Sequence, residues 1–171
     1  EASRGGGRSL LVPGTSFATY NWGDTRDEPM QALARSPWAV RDAVPLGAPG
    51  ATRLMDGFES VLAGGVGNDG LAEGLARAGV TTVILRNDLD SYRVTTPPAA
   101  ARATLMASPG ISLVAGFGKK VPVTKTLPGT AVGAQGKVPA VEVFAVEPLS
   151  AGAAPRTDPR AYLSAASATG T

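Results

Sequence analysis

The chain has 171 residues, 43% of them hydrophobic, and a formal net charge of +2, which is enough for one domain with a genuine core. It contains neither cysteine nor histidine, which excludes disulfides, thiolate chemistry, a Ser-His-Asp triad and the usual zinc sites. So small a charge surplus gives no footing for nucleic acid or an anionic membrane, and no nucleic-acid partner is expected.

Residues 1–8 read as a flexible lead-in, residues 9–148 as one α/β domain, and residues 149–171 as a linker or the start of a further segment, with a return to structure near Tyr162. Ser9 to Val12 is a short apolar run stopped by Pro13-Gly14, the pattern of a buried strand before a tight turn. Phe17, Tyr20 and Trp22 continue as a second extended piece. Glu28 to Ala34 is expected to be a short helix with Asp27 as N-cap and Pro29 in its first turn. Ser36-Pro37 offers a second helix start, carrying Trp38, Val40 and Arg41.

Thr52 is expected to cap a longer helix in which Leu54, Met55, Phe58, Val61 and Leu62 share one face. Asn68 or Asp69 caps the next, with Leu71, Leu75 and Ala78 inward and Gly79 placed for a left-handed C-cap. Val80 to Leu85 follows as a buried strand. Helix, glycine and a β-branched run form the second half of a right-handed crossover, so this strand should lie parallel to the first. Pro97-Pro98 opens a helix over 99–107, Ser112 to Ala115 is a third strand and Val138 to Glu147 a fourth. Between them, residues 118–136 are Gly-rich, hold nearly all the lysines and read as a mobile hairpin-like excursion. The sum is an α/β domain: a mixed sheet of about four to five strands flanked by helices, with a parallel crossover and a C-terminal antiparallel pair.

Several motifs invite chemistry. Gly65-Val66-Gly67-Asn68-Asp69-Gly70 has the literal spacing of a dinucleotide fingerprint, but a helix rather than a strand precedes it, so it reads as an inter-helix loop and no cofactor is expected. Gly14 to Ala18 approaches a nucleophile elbow, yet its last glycine is alanine and no histidine exists to activate Ser16. Asp88-Leu89-Asp90 has the D-x-D spacing that holds a divalent metal against a diphosphate. Turn carboxylates, or partners for Arg86, are the competing reading. The lysines of the excursion suit a phosphate or lipid headgroup, or simply keep a loop soluble.

The densest segment is Val12 to Gly47, which holds both tryptophans and an Asp27-Glu28-Pro29 step among fixed turns. Tyr20, Trp22 and Trp38, with Asp24, Asp27, Glu28 and Arg41, have the residue types of a sugar platform. Flat aromatic faces stack on a sugar ring while carboxylates and arginine take its hydroxyls. Alternatively both indoles are core aromatics in a domain short of large side chains, with Arg53 and Asp56 pairing structurally with the acidic residues.

Pro13-Gly14-Thr15-Ser16-Phe17, Tyr20-Asn21-Trp22-Gly23, Asp27-Glu28-Pro29, Ser36-Pro37-Trp38 and Arg86-Asn87-Asp88-Leu89-Asp90 occur in that order. Over roughly residues 8–118 the chain resembles the actinobacterial α-(1→3)-arabinofuranosyltransferases of the large multi-span type. The resemblance implies a membrane glycosyltransferase of the C-type fold, which uses decaprenyl-phospho-arabinose to build the arabinan of arabinogalactan and lipoarabinomannan. The catalytic acid of that family is expected between early transmembrane helices, and no apolar run here approaches a membrane span. A start at Glu1 without Met and the low-complexity end SAASATGT fit an excerpt of a longer protein.

The reading that follows is a non-catalytic extracytoplasmic domain. It packs on the transmembrane catalytic portion of the same protein and helps position an arabinan acceptor. Its candidate glycan contacts are Tyr20, Trp22, Asp27, Glu28, Trp38, Arg86 and Asp88, with no catalytic residue, metal ligand or cofactor expected. The alternatives are a structural or protein-interaction domain with buried aromatics, and a metal-dependent sugar-nucleotide enzyme using Asp88 and Asp90.

Overall fold

The computed structural model describes residues 7–15, 19–41, 48–90, 93–122, 125–127, 130–132 and 136–148. Phe17, Ser16 and the segment around Tyr162 lie outside the described residues. Strands β1 (Arg8–Val12) and β5 (Val80–Arg86) pair in parallel, with Leu10 opposite Val83 and Val12 opposite Leu85, as the crossover pattern predicts. The crossover between them runs through helices α2 (Pro49–Ala63) and α3 (Leu71–Arg77), and Gly79 takes φ +75° where the chain leaves α3. That left-handed backbone is one an L side chain adopts only with strain, so glycine is the residue suited to the turn.

Two further strands complete the antiparallel half. β9 (Lys137–Val146) pairs with β5 on one side and with β6 (Ile111–Pro122) on the other, and helix α4 (Pro98–Ala107) connects β5 to β6. β6 runs well past Ala115, so the excursion is shorter than its composition implied. Its outer part is the hairpin of β7 (Lys125–Leu127) and β8 (Thr130–Val132).

Period-two alternation assigns the faces. Leu10 and Val12, Val83 and Leu85, and Phe144 and Val146 point the same way and meet Phe58 and Leu62 of α2, Leu71 and Leu75 of α3, and Leu105 of α4 in one core. The three longer helices therefore cover one face of the sheet. Glu142 occupies the next core-facing place on β9, directly opposite Leu85, and is only 1% exposed. Arg102 of α4 meets it with a forked pair of hydrogen bonds of 2.8 and 3.1 Å, so the charge is matched where it is buried.

Three local expectations change. Residues 36–41 form no helix: β4 (Trp38–Val40) pairs in parallel with β1, and the Pro37 carbonyl accepts from the Ser9 amide at 3.0 Å. The run is too short for helical periodicity to show, and the open edge of β1 offers a full hydrogen-bond ladder. The first helix shrinks to α1 (Met30–Leu33), with Pro29 rather than Asp27 at its N-cap. The preceding turn winds through Arg26 at φ 60°, the Arg26 amide donates to Asp24, and the Thr25 hydroxyl donates to the Asp27 carbonyl. In α2, Thr52 lies inside the helix, which begins at Pro49, and Leu54 falls at the rim of the apolar stripe and stays exposed. The completed sheet has the order β4-β1-β5-β9-β6, a mixed five-stranded sheet flanked by helices as the patterning implied.

Candidate functional site

Arg86 is the last residue of β5, and its parity with Ile84 directs it to the face opposite the three helices. It is 3% exposed there and needs partners. Its Nη1 donates to Glu28 Oε2 at 2.6 Å, and its Nη2 donates to the Pro13 carbonyl just beyond β1. One guanidinium thus joins the ends of two neighbouring strands to the segment before α1.

The four residues after Arg86 fasten two further elements, β9 and the segment around Tyr20. The Asn87 side chain donates to Glu142 and to the Pro139 carbonyl, both at 2.9 Å, while its amide reaches the Ala140 carbonyl at 2.7 Å. The Asp88 carbonyl accepts from the Asn21 amide at 2.8 Å, and its Oδ2 accepts from Trp22 Nε1 at 2.7 Å. Leu89 is buried and forms an antiparallel bridge with Tyr20, and the Asp90 amide donates to the Thr19 carbonyl at 3.0 Å. The short hairpin of β2 (Thr19–Tyr20) and β3 (Gly23–Asp24) is in this way laid against the turn that follows β5.

The outcome is a fixed aromatic surface. Tyr20 and Trp22 stack with centroids 4.7 Å apart and planes 18° from parallel. Such a pair contributes roughly 0.5–1.5 kcal/mol beyond its buried area. Trp22 nevertheless stays 65% exposed, so it is no core residue: its ring is backed by Tyr20, its nitrogen is tied to Asp88, and much of its surface faces solvent. Burial pushes the Tyr20 phenol above its ordinary range, opposed by the hydrogen bond and charge of Arg86 and reinforced by Glu28 and Asp88.

Among the described residues, Arg86 Nε and Asp88 Oδ1 are buried without a hydrogen-bond partner. Each such group costs about 1–3 kcal/mol.

Of the candidate residues, Tyr20, Trp22, Glu28, Arg86 and Asp88 converge at this end of the sheet. Trp38 is half-buried on the edge strand, paired with Ser9, and among the described residues its ring stacks with neither Tyr20 nor Trp22. Asp27 is exposed in the turn closed on Thr25. Asp88, far from being a solvated turn carboxylate, is 6% exposed and held by Trp22. Asp90 lies 3.8 Å from Arg93, and no group of three or more His, Cys, Asp or Glu stands together among the described residues. Asp56 pairs with Arg41 at 2.6 Å rather than with the acidic residues before α1. The Gly65–Gly70 stretch is the loop between α2 and α3, as the preceding helix required. Reasoning from sequence missed Asn87, Glu142 and Arg102. The usable signal was the alternation 142, 144, 146, which places a glutamate in line with two core residues.

Fold and site together describe an α/β domain that presents a braced aromatic surface at one end of a mixed sheet. A family model described as "Alpha-(1->3)-arabinofuranosyltransferase, N-terminal GT-C domain" matches residues 1–168, and the chain belongs to that family. It is 43% identical over 157 residues to the alpha-(1->3)-arabinofuranosyltransferase of Mycolicibacterium smegmatis, covering 90% of this chain and 11% of that protein. It is 38% identical over 144 residues to the enzyme of the same name from Mycobacterium tuberculosis, covering 82% of this chain and 10% of that protein. The cryo-EM structure of arabinofuranosyltransferase AftD from mycobacteria superposes with a TM-score of 0.71 at 39% identity, over 84% of this chain and 11% of that one. The chain thus spans about a tenth of the length of the relatives it matches. Among the described residues, no helix is long and apolar enough to cross a membrane.

Proposed function

We propose that this chain is the non-catalytic, extracytoplasmic part of an arabinofuranosyltransferase that builds cell-wall arabinan from decaprenyl-phospho-arabinose, and that it helps position the acceptor glycan. The observation that carries this reading is the Trp22 indole: 65% exposed, yet fixed by a stacked ring and a charge-assisted hydrogen bond. An exposed aromatic held in one orientation meets a sugar ring at low entropic cost, because little rotamer freedom remains to be lost. Arg86, Glu28 and Asp88 serve beneath it as positioning residues, and their burial keeps them from the glycan itself.

That the chain spans only about a tenth of the length of its relatives supports a role beside chemistry carried out elsewhere in a longer polypeptide. The rest of that polypeptide is the partner we assign to the edge strand β6, where Leu113, Val114 and Phe117 are exposed. An open apolar edge of this kind is normally covered by another part of the protein.

The acceptor role is tested by titrating the isotope-labelled chain with short arabinofuranosyl oligosaccharides while following both indole N–H signals by NMR. Trp22 is expected to shift saturably at millimolar glycan, and Trp22→Ala to abolish the response. A silent Trp22 signal would remove the acceptor role.

A further inference from the structure

At the same end of the sheet, on the side of the three helices, lies a cleft of about 510 Å³. Its walls follow from the topology. The chain leaves β1 toward β4 on one side and reaches β5 by crossing back to the other, which makes the carboxyl end of β1 a switch point between opposite connections. Open α/β sheets bind their ligands at such points. Gly14 and Thr15 after β1, Arg41 after β4 and Thr95 and Thr96 after β5 all line this cleft, and Asp56, Glu59 and Ser60 of α2 close it.

The chemistry of the lining selects a ligand class. Among the described residues it contains two guanidinium groups, Arg41 and Arg93, and two carboxylates, Asp56 and Glu59, whose formal charges cancel. A phosphate entering would meet both carboxylates, and a cation would meet both arginines. A neutral polyol meets donors and acceptors side by side, with hydroxyls from Thr15, Ser60 and Thr95 among them. Among the described residues no aromatic ring lines the cleft, and the lining they provide is one of hydrogen-bonding groups. The volume is within the ordinary range for a small-molecule site, about 300–1,000 Å³.

The cleft is also braced. Glu59 Oε1 accepts from the Gly14 amide at 2.7 Å, and the Thr96 hydroxyl donates to the Glu59 carbonyl at 3.3 Å. A Cβ at Gly14 would stand 2.6 Å from Arg41 Cβ, so the first loop and the arginine are already in close contact. The Pro13-Gly14 peptide step links the two sites: the Pro13 carbonyl accepts from Arg86 beneath the platform, and the Gly14 amide donates into the cleft.

We infer that this cleft is a second saccharide subsite, on the opposite face of the sheet from the Trp22 surface, taking a neutral sugar through its hydroxyls. The inference rests on the acceptor reading above for the kind of sugar, and on the cleft's own lining for the site. The labelled 171-residue chain is titrated with a short arabinofuranosyl oligosaccharide and, separately, with inorganic phosphate. Saturable shifts at the Gly14, Thr95 and Thr96 amides are expected with the oligosaccharide and not with phosphate. They should persist in Trp22→Ala and vanish in Ser60→Leu, which fills the cleft from an exposed helix position while leaving the rest of the spectrum in place. Cleft shifts with the sugar but a silent Trp22 would sustain this site and remove the platform. Shifts confined to Trp22 would overturn the cleft and leave the platform standing. A response to phosphate in place of the sugar would overturn the cleft as well.

Discussion

Replacing Arg86 by methionine keeps most of the side-chain volume and removes the charge that organises the platform. Arg86 is 3% exposed, two acceptors depend on it, Glu28 and the Pro13 carbonyl, and its charge also acts on the Tyr20 phenol. Breaking a buried pair by deleting one partner costs about 3–5 kcal/mol, because the remaining charge keeps its desolvation penalty. Here the stranded group is Glu28, whose side chain is only 12% exposed and is paired to Arg86 at 2.6 Å. Glu28→Gln is the informative contrast. It retains an acceptor for Arg86 and leaves the bond to the Pro13 carbonyl in place, so the charge-assisted part of one hydrogen bond is lost, about 1–2 kcal/mol. Urea unfolding followed by tryptophan fluorescence measures both. With an m-value of about 2 kcal/mol/M, Arg86→Met should lower the midpoint by roughly 2 M and Glu28→Gln by less than half that. The double variant should lose less than the sum of the two, since the partners are coupled. A loss below about 1 kcal/mol for Arg86→Met, or equal losses for both single variants, would refute a buried pair organised by the Arg86 charge.

Arg102→Met should be destabilising by a similar order, about 3–5 kcal/mol, because it strands Glu142 at 1% exposure with only Asn87 for company. Glu142→Leu/Arg102→Met should regain most of that in the same unfolding assay, and failure to regain it would locate the loss in packing instead. The Tyr20 phenol is raised above its ordinary 10.0, so the folded state keeps its proton where the unfolded chain has released it. Its contribution to stability is therefore complete below pH 10 and declines as pH rises through the folded value. Tyr20→Phe should flatten that alkaline decline in stability-against-pH curves, and an unchanged slope would exclude Tyr20 as its source.

Much of the frame was readable from the chain because its signals are local. Val80 to Leu85 is a β-branched run directly after a helix and Gly79, and both its depth and its parallel direction follow from that order. The helices around Phe58 and Leu75 announce themselves through apolar spacing between capping residues, and the helix that carries Leu105 through the Pro97-Pro98 step at its start. Trp38 to Val40 was not readable, since three residues carry no usable period and their state was decided by a hydrogen-bond partner, β1, roughly thirty positions away.

The site divides along the same line. Composition by itself removed histidine and cysteine chemistry, and the Tyr-x-Trp-Gly, Asp-Glu-Pro and Arg-Asn-Asp-Leu-Asp steps pointed to the family and to the residues worth watching. Which of them share a place was settled only by tertiary structure. Asp27 and Glu28 are neighbours in the chain, yet the turn at Arg26 leaves the first exposed and the second is drawn under Arg86. Trp22 and Trp38 look equivalent in sequence, but one is pinned by an aspartate sixty-six residues away and the other by a strand edge. Partners so distant leave no local trace, because burial and hydrogen bonding are properties of the folded surface and not of the residues taken singly.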